Sequence, residues 1–122
     1  VEAVVPLIAN AAGEGLQPDG GMIYEKNTET GEVDTDRHWW VQAETVVGYI
    51  NLYEYFNNED ALEKALQCWN FIKKHLIDSK NGEWFWSLKA DGTINTIDDK
   101  AGFWKCPYHN GRMCMELLGR FQ

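Results

Sequence analysis

Chemistry concentrates in one stretch, Phe103-Trp104-Lys105-Cys106-Pro107-Tyr108-His109-Asn110-Gly111-Arg112. Pro107 fixes its own φ, pushes Cys106 toward extended backbone, and suits the first turn of a helix. Phe103 to Cys106 therefore reads as the end of a loop, and Tyr108 to Phe121 as a helix with His109 in its first turn. The partial positive charge of a helix N-terminus favours a neutral imidazole, the form a general base uses. Trp104 offers a flat apolar face beside that base. A flat face next to a proton-transfer group suits a sugar ring, which stacks through C–H groups while its hydroxyls seek partners. A helix-start histidine tied to a loop, with a core tryptophan beside it, is the structural alternative.

A second candidate lies upstream. Helical spacing puts Trp40 and Glu44 on one face. A carboxylate on one imidazole nitrogen fixes the tautomer and raises basicity, so Glu44 is the candidate partner of His109. A solvated glutamate is the alternative there. Cys106 near His109 raises a Cys/His nucleophile pair, against which stands a small buried thiol. Glycosidase carboxylates would come from Glu83 or from Asp98-Asp99, but adjacent acids in an extended loop point to different sides. His38, His75 and His109 share no metal-ligand spacing, and no phosphate-cradling glycine loop is present. No metal and no cofactor are expected.

The elements that must position these groups follow from periodicity. Val1, Val4, Val5, Ile8 and Ala12 mark a short helix from near Val5, ended by Gly13 and Gly15. Pro18-Asp19-Gly20-Gly21 is a turn, and Met22 to Glu25 a strand that returns through Thr30-Gly31 over Glu32 to Asp36. His38 to Phe56 reads as a helix with Trp40, Ala43, Val47, Ile50 and Tyr53 or Glu54 on its stripe. Asn57-Asn58 breaks it. Glu59 to Leu76 is a helix striped by Leu62, Ala65, Leu66, Trp69, Ile72 and Leu76, with acids at its start and bases at its end. So short a link implies an antiparallel pair. Glu83 to Trp86 and Thr93 to Thr96 read as a second hairpin about Ala90-Asp91-Gly92. Met113, Leu117 and Phe121 face inward on the last helix.

This order repeats: a helix, a long loop holding a hairpin, tryptophan, then another helix. Short turns on one rim and long loops on the other describe a toroid of helical hairpins. Such a unit cannot bury its face alone and at least three units are normally needed, whereas this chain holds about two. A part of a larger barrel, or self-association through exposed half-barrel faces, is expected.

The 122 residues carry a net charge of −8, which argues against nucleic acid and anionic membranes as partners. Val1 to Ala12 lacks the basic start of a signal peptide, and no apolar run approaches a membrane span. Three cysteines without a CxxC pair fit a reduced, cytoplasmic compartment. Six Trp, five Tyr and five Phe exceed what a small core requires, so loop aromatics are candidate binding surfaces.

Asp99-Lys100 with the Phe103 to Arg112 stretch resembles the closing motif of the cellobiose 2-epimerases in the N-acylglucosamine 2-epimerase superfamily. Trp39-Trp40-Val41-Gln42-Ala43-Glu44 is similar to that family's WWxQAE helix start, and Asn81 to Trp86 fits the hairpin between. The resemblance implies an all-α fold: residues 1–122 would be the C-terminal portion of a single (α/α)6 barrel with short β-hairpins in its long loops. It implies inversion at C2 of a reducing-end glucose through an enediolate, with an oligosaccharide or monosaccharide substrate. N-acylglucosamine epimerase and mannose isomerase activities belong to the same superfamily. His109 would be one acid/base, Glu44 its partner, and Trp40 and Trp104 sugar platforms. Trp39 and Arg112 are further candidate substrate-binding residues; Arg112, one turn beyond His109, carries no family role, and a helix-surface ion pair is its alternative. A second and a third histidine would lie in an N-terminal portion outside this chain, leaving the chain alone inactive. A non-catalytic sugar-binding helical module is the reading from another class.

Overall fold

Tryptophan, alanine and branched aliphatics recur along residues 39–56 with few charges. Such a segment can bury most of its circumference, and it becomes the central element of the structure. This structure, a computed structural model, describes residues 3–121. The order is α1 (Val5–Gly15), β1 (Glu25–Lys26), β2 (Val33–Asp34), β3 (Arg37–His38), α2 (Trp39–Phe56), α3 (Glu59–His75), β4 (Ser87–Leu88) and α4 (Tyr108–Arg120). Helix α2 packs against both α3 and α4. It buries Trp39, Gln42, Ala43, Val46, Val47, Tyr49 and Ile50. Trp39 rather than Trp40 therefore enters the core. The three-and-four rhythm holds, but the buried arc is wide enough to meet two helices and begins one residue earlier, at Trp39.

Helix α3 shows a similar rotation. Ala61, Ala65, Cys68, Phe71 and Ile72 are buried, whereas Leu66 is exposed. Its start is built by Asn58, whose side chain accepts from the Ala61 N–H at 3.1 Å. Asn57 takes the left-handed conformation at φ 51° and reverses the chain within two residues. Helix α4 begins after Pro107, as its fixed φ allows, and buries Asn110 and Met113. Phe121 lies exposed beyond the helix end. Helix α1 runs through Gly13 to Gly15 and buries none of its residues; Val1 lies outside the described residues.

The first hairpin exists but is shorter: its first strand starts three residues late, at Glu25, while its return lies within the expected Glu32 to Asp36, and β1 and β2 pair antiparallel with Glu25 opposite Asp34. The second hairpin turns about Ala90-Asp91-Gly92 as expected, but its outgoing strand is β4, past Trp86: Lys89 N–H donates to the Thr93 carbonyl at 2.8 Å, Asn95 N–H to the Ser87 carbonyl at 2.9 Å, and a bridge joins Leu88 to Ile94. On its other edge β4 pairs antiparallel with β3, Arg37 opposite Leu88. The two long loops are thus stitched to each other. Trp39 N–H also donates to the Trp86 carbonyl at 2.9 Å, fixing the start of α2 to the second loop. Gln42, fully buried, accepts from Met22 N–H at 2.7 Å and donates to the Met22 carbonyl at 2.9 Å, fixing the first loop to the same helix. Gly20 holds φ +88°, and a Cβ there would stand 2.5 Å from the Gln67 carbonyl oxygen. Only glycine lets this turn lie against α3.

Asp78 anchors the second loop. Its carboxylate accepts from Lys100 Nζ at 2.6 Å, from Asn81 Nδ2 at 3.0 Å, and from the N–H groups of Lys80 and Asn81. Lys100 first, then Asn81, hold the carboxyl well below the usual carboxylate range. A depressed folded value adds stability that is complete above the unfolded value near ~3.9 and is lost as pH falls through the folded one. The urea midpoint should therefore fall between about pH 5 and pH 2, and fall less for Asp78→Asn. Equal acid loss in both proteins would remove Asp78 from the account.

Candidate active site

Three segments meet at the start of α4. Lys105, 1% exposed, sends its ammonium to the carbonyls of Trp84 and Lys100. Glu83 takes φ 63° and accepts from the Trp84 N–H and from Asn110 Nδ2 at 3.0 and 2.9 Å. The second loop is thereby tied to the first turn of α4, and His109 stands beside these ties. Glu83 thus serves this scaffold, and Asp98 accepts from Asn95 Nδ2 at 2.8 Å.

His109 Nδ1 lies 2.7 Å from Glu44 Oε1. A carboxylate only accepts, so Nδ1 carries the proton and Nε2 is the nitrogen left for chemistry. The other Glu44 oxygen, Oε2, accepts from Arg112 Nη2. Both oxygens are therefore oriented, one by a group from the first turn of α4 and one by a group a turn later. Nearly a third of the imidazole is exposed. Its ring stands 5.5 Å from Trp39, 5.7 Å from Trp40 and 5.0 Å from Tyr108.

The named tryptophans sit in three different environments. Trp40, 37% exposed, presents an open indole beside His109. Trp39, 2% exposed, lies beneath it with the Lys105 ammonium 5.0 Å from its ring, so it supports the site rather than offering a face. Trp104 is 82% exposed and packs edge-on against Phe103 at 4.9 Å. Cys106 is exposed and has no hydrogen bond to His109, which leaves no Cys/His pair. Cys68 is buried against Gln42, and burial pushes its thiol up to about 12.

Sequence reasoning passed over an aromatic row. Trp86 meets His38 edge-on at 6.4 Å, His38 stacks on Tyr24 at 4.1 Å, and Tyr24 meets Trp40 edge-on at 6.3 Å. Burial lowers the His38 proton affinity, against the pull of Asp36 and Asp34. The available signal was loop aromatics flanking predicted strands; the β3–β4 pairing that aligns them was not foreseen. Beside this row, a groove of about 700 Å³ runs between α1 and α2, with Tyr24, Trp40, Glu44 and Met22 in its wall. Among the described residues no three His, Cys, Asp or Glu side chains gather as a metal site would require. No helix among them is long and apolar enough to cross a membrane.

The sequence pattern of the N-acylglucosamine 2-epimerase (GlcNAc 2-epimerase) family matches residues 2–111. The chain belongs to this family. It is 68% identical over 119 residues to cellobiose 2-epimerase of Bacteroides fragilis, covering 98% of this chain and 30% of that protein. It is 46% identical to cellobiose 2-epimerase of Ruminococcus albus, covering 84% of this chain and 26% of that one. Among solved structures, a cellobiose 2-epimerase from Bacillus thermoamylovorans superposes with a TM-score of 0.88 at 40% identity, over 98% of this chain and 30% of that one. This epimerase-family chain thus spans about 30% of the length of such relatives, and its helices and short strand pairs match a part of their fold.

Proposed function

We propose that this chain forms part of the active site of a sugar 2-epimerase of (α/α)6-barrel architecture, and that its substrate is cellobiose or a similar disaccharide with a reducing-end glucose. The observation that carries the reading is the His109–Glu44 contact beside the open face of Trp40, within a chain of this family. In the open-chain sugar the C2–H is acidified by the neighbouring aldehyde. Nε2 of His109 takes that proton, the C–H electron pair moves into the C1–C2 bond, and the charge settles on the C1 oxygen as an enediolate. Glu44 stabilises the imidazolium so formed and keeps its ring from turning. Rotation of the intermediate and protonation of its other face give the mannose unit. That second proton needs a group on the opposite side, which we place outside these 122 residues. The isolated chain is therefore expected to be inactive.

The open indole of Trp40 serves as the platform under a sugar ring. Trp40→Ala in the complete protein should cost about 2 kcal/mol of binding, roughly 30-fold in KM. An unchanged KM would remove Trp40 from the substrate site. Trp104, exposed at the loop tip, joins the platform only when other parts of the barrel bring it near the sugar.

Product analysis tests the reaction class. Cellobiose incubated with the complete protein should give glucosyl-mannose without free glucose. Release of glucose would make it a hydrolase, and binding without product would make it a binding module. A D-mannose isomerase of Marinomonas mediterranea, 29% identical over 99 residues, supports monosaccharide isomerisation as the second reading. Conversion of free mannose to fructose, with cellobiose untouched, would select it. The exposed apolar side chains Leu7, Ile8, Leu66 and Leu118 further predict self-association of the isolated chain; a monomeric mass by light scattering would contradict this.

A further inference from the structure

We propose that Arg112 is a positioning residue, acting through Glu44 on His109 rather than on the sugar. The inference rests on the reading of His109 as the acid/base.

A carboxylate held at one oxygen alone keeps a broad terminal torsion, so a single bond to His109 would not fix the plane of Glu44. Arg112 Nη2 on Oε2 supplies the second point. Arg112 is itself held. Its guanidinium lies 5.8 Å from the Tyr108 ring, and its Nε, which makes no hydrogen bond, is 3.8 Å from Glu116 Oε1, an ion-pair distance only. Glu116 Oε2 in turn accepts from Arg120 Nη2 at 2.6 Å. Arg120 Nη1 donates to Glu54 at 2.9 Å and to Asn51 at 2.7 Å.

These contacts form one ladder of alternating charge. On α4 it uses residues 109, 112, 116 and 120, whose spacing puts them on one face of the helix. On α2 it uses 44, 51 and 54. The ladder ties α4 to α2 along three turns, and the imidazole is its terminal group. A slip or rotation of α4 would pull His109 off Glu44. Arg112 is met by carboxylates on two sides, whereas an uncharged disaccharide presents no anion to draw a guanidinium away from them.

Kinetics of the complete protein separate positioning from sugar contact. Arg112→Met should lower kcat about 10- to 100-fold with KM changed less than about twofold. Arg112→Lys, which keeps a charge but loses the planar fork, should recover part of that loss. The ¹⁵N resonances of the His109 ring should leave the Nδ1–H pattern in Arg112→Met and regain it in part in Arg112→Lys. Should Arg112→Met fail to fold, Arg112→Lys carries the test, with the same split at smaller size. A raised KM at unchanged kcat would make Arg112 a sugar contact and overturn the proposal. Unchanged kinetics and unchanged ring resonances would overturn it too. A wild-type protein that cannot epimerise would sink the functional reading; in that case unshifted His109 resonances in Arg112→Met separately sink the positioning claim.

Discussion

Replacing His109 by asparagine in the complete protein should lower epimerisation about 10³-fold, within the range that a positioned acid/base contributes. Asparagine keeps a donor that can reach Glu44 Oε1 but has no nitrogen able to take and return a proton. The helix start and the Glu44–Arg112 contact should persist, so the melting temperature should hardly move. KM should stay close to wild type, because proton transfer is made only in the transition state. Steady-state kinetics with a melting curve checks this. Retention of more than a tenth of the wild-type kcat would contradict the assignment of His109.

The second large effect is structural. Lys105 is almost fully buried, and its ammonium serves the Trp84 and Lys100 carbonyls with Glu83 Oε1 3.7 Å away. Burial lowers its proton affinity, and Glu83 pulls the other way. Lys105→Met keeps the length and removes the cost of a buried charge, but leaves two carbonyls without a donor. A net loss of about 2 kcal/mol is expected. Lys105→Ala also opens a cavity under Trp39 and should lose about 4 kcal/mol. Chemical denaturation measures both. Stability equal to wild type in Lys105→Ala would mean that this clamp does not hold the loop to α4.

Lys105 also marks where sequence reasoning stops. A lysine in a loop reads as solvated, and nothing local says that two carbonyls and an indole close around it. Gln42 is similar: it sits on the helix between Trp39 and Ala43, yet only the returning loop at Met22 explains its burial. What was legible was what short-range physics decides. Pro107 set the start of α4, and Asn57-Asn58 set the break between α2 and α3. The 3.6-residue rhythm gave three helices to within two residues. Phase was less legible, because adjacent apolar residues such as Trp39 and Trp40 satisfy the rhythm equally until the neighbouring helices are known. The apparent repeat put Trp40 and Trp104 at corresponding places before a helix, yet their surroundings in this chain differ: one borders His109 and the other projects from a loop. The closeness of Glu44 and His109, 65 positions apart, came from family resemblance and the rim scheme. The roles of Tyr24 and Trp86 needed the pairing of β3 with β4.

Proton exchange at C2 is the decisive test of His109 as the acid/base. Cellobiose would be incubated in heavy water with the complete protein, wild type or His109→Asn, and its C2 proton followed by NMR. The account predicts loss of the C2–H signal together with mannose formation in wild type, and loss of both in the variant. Mannose formation without solvent deuterium at C2, or exchange undiminished in His109→Asn, would contradict proton transfer by His109.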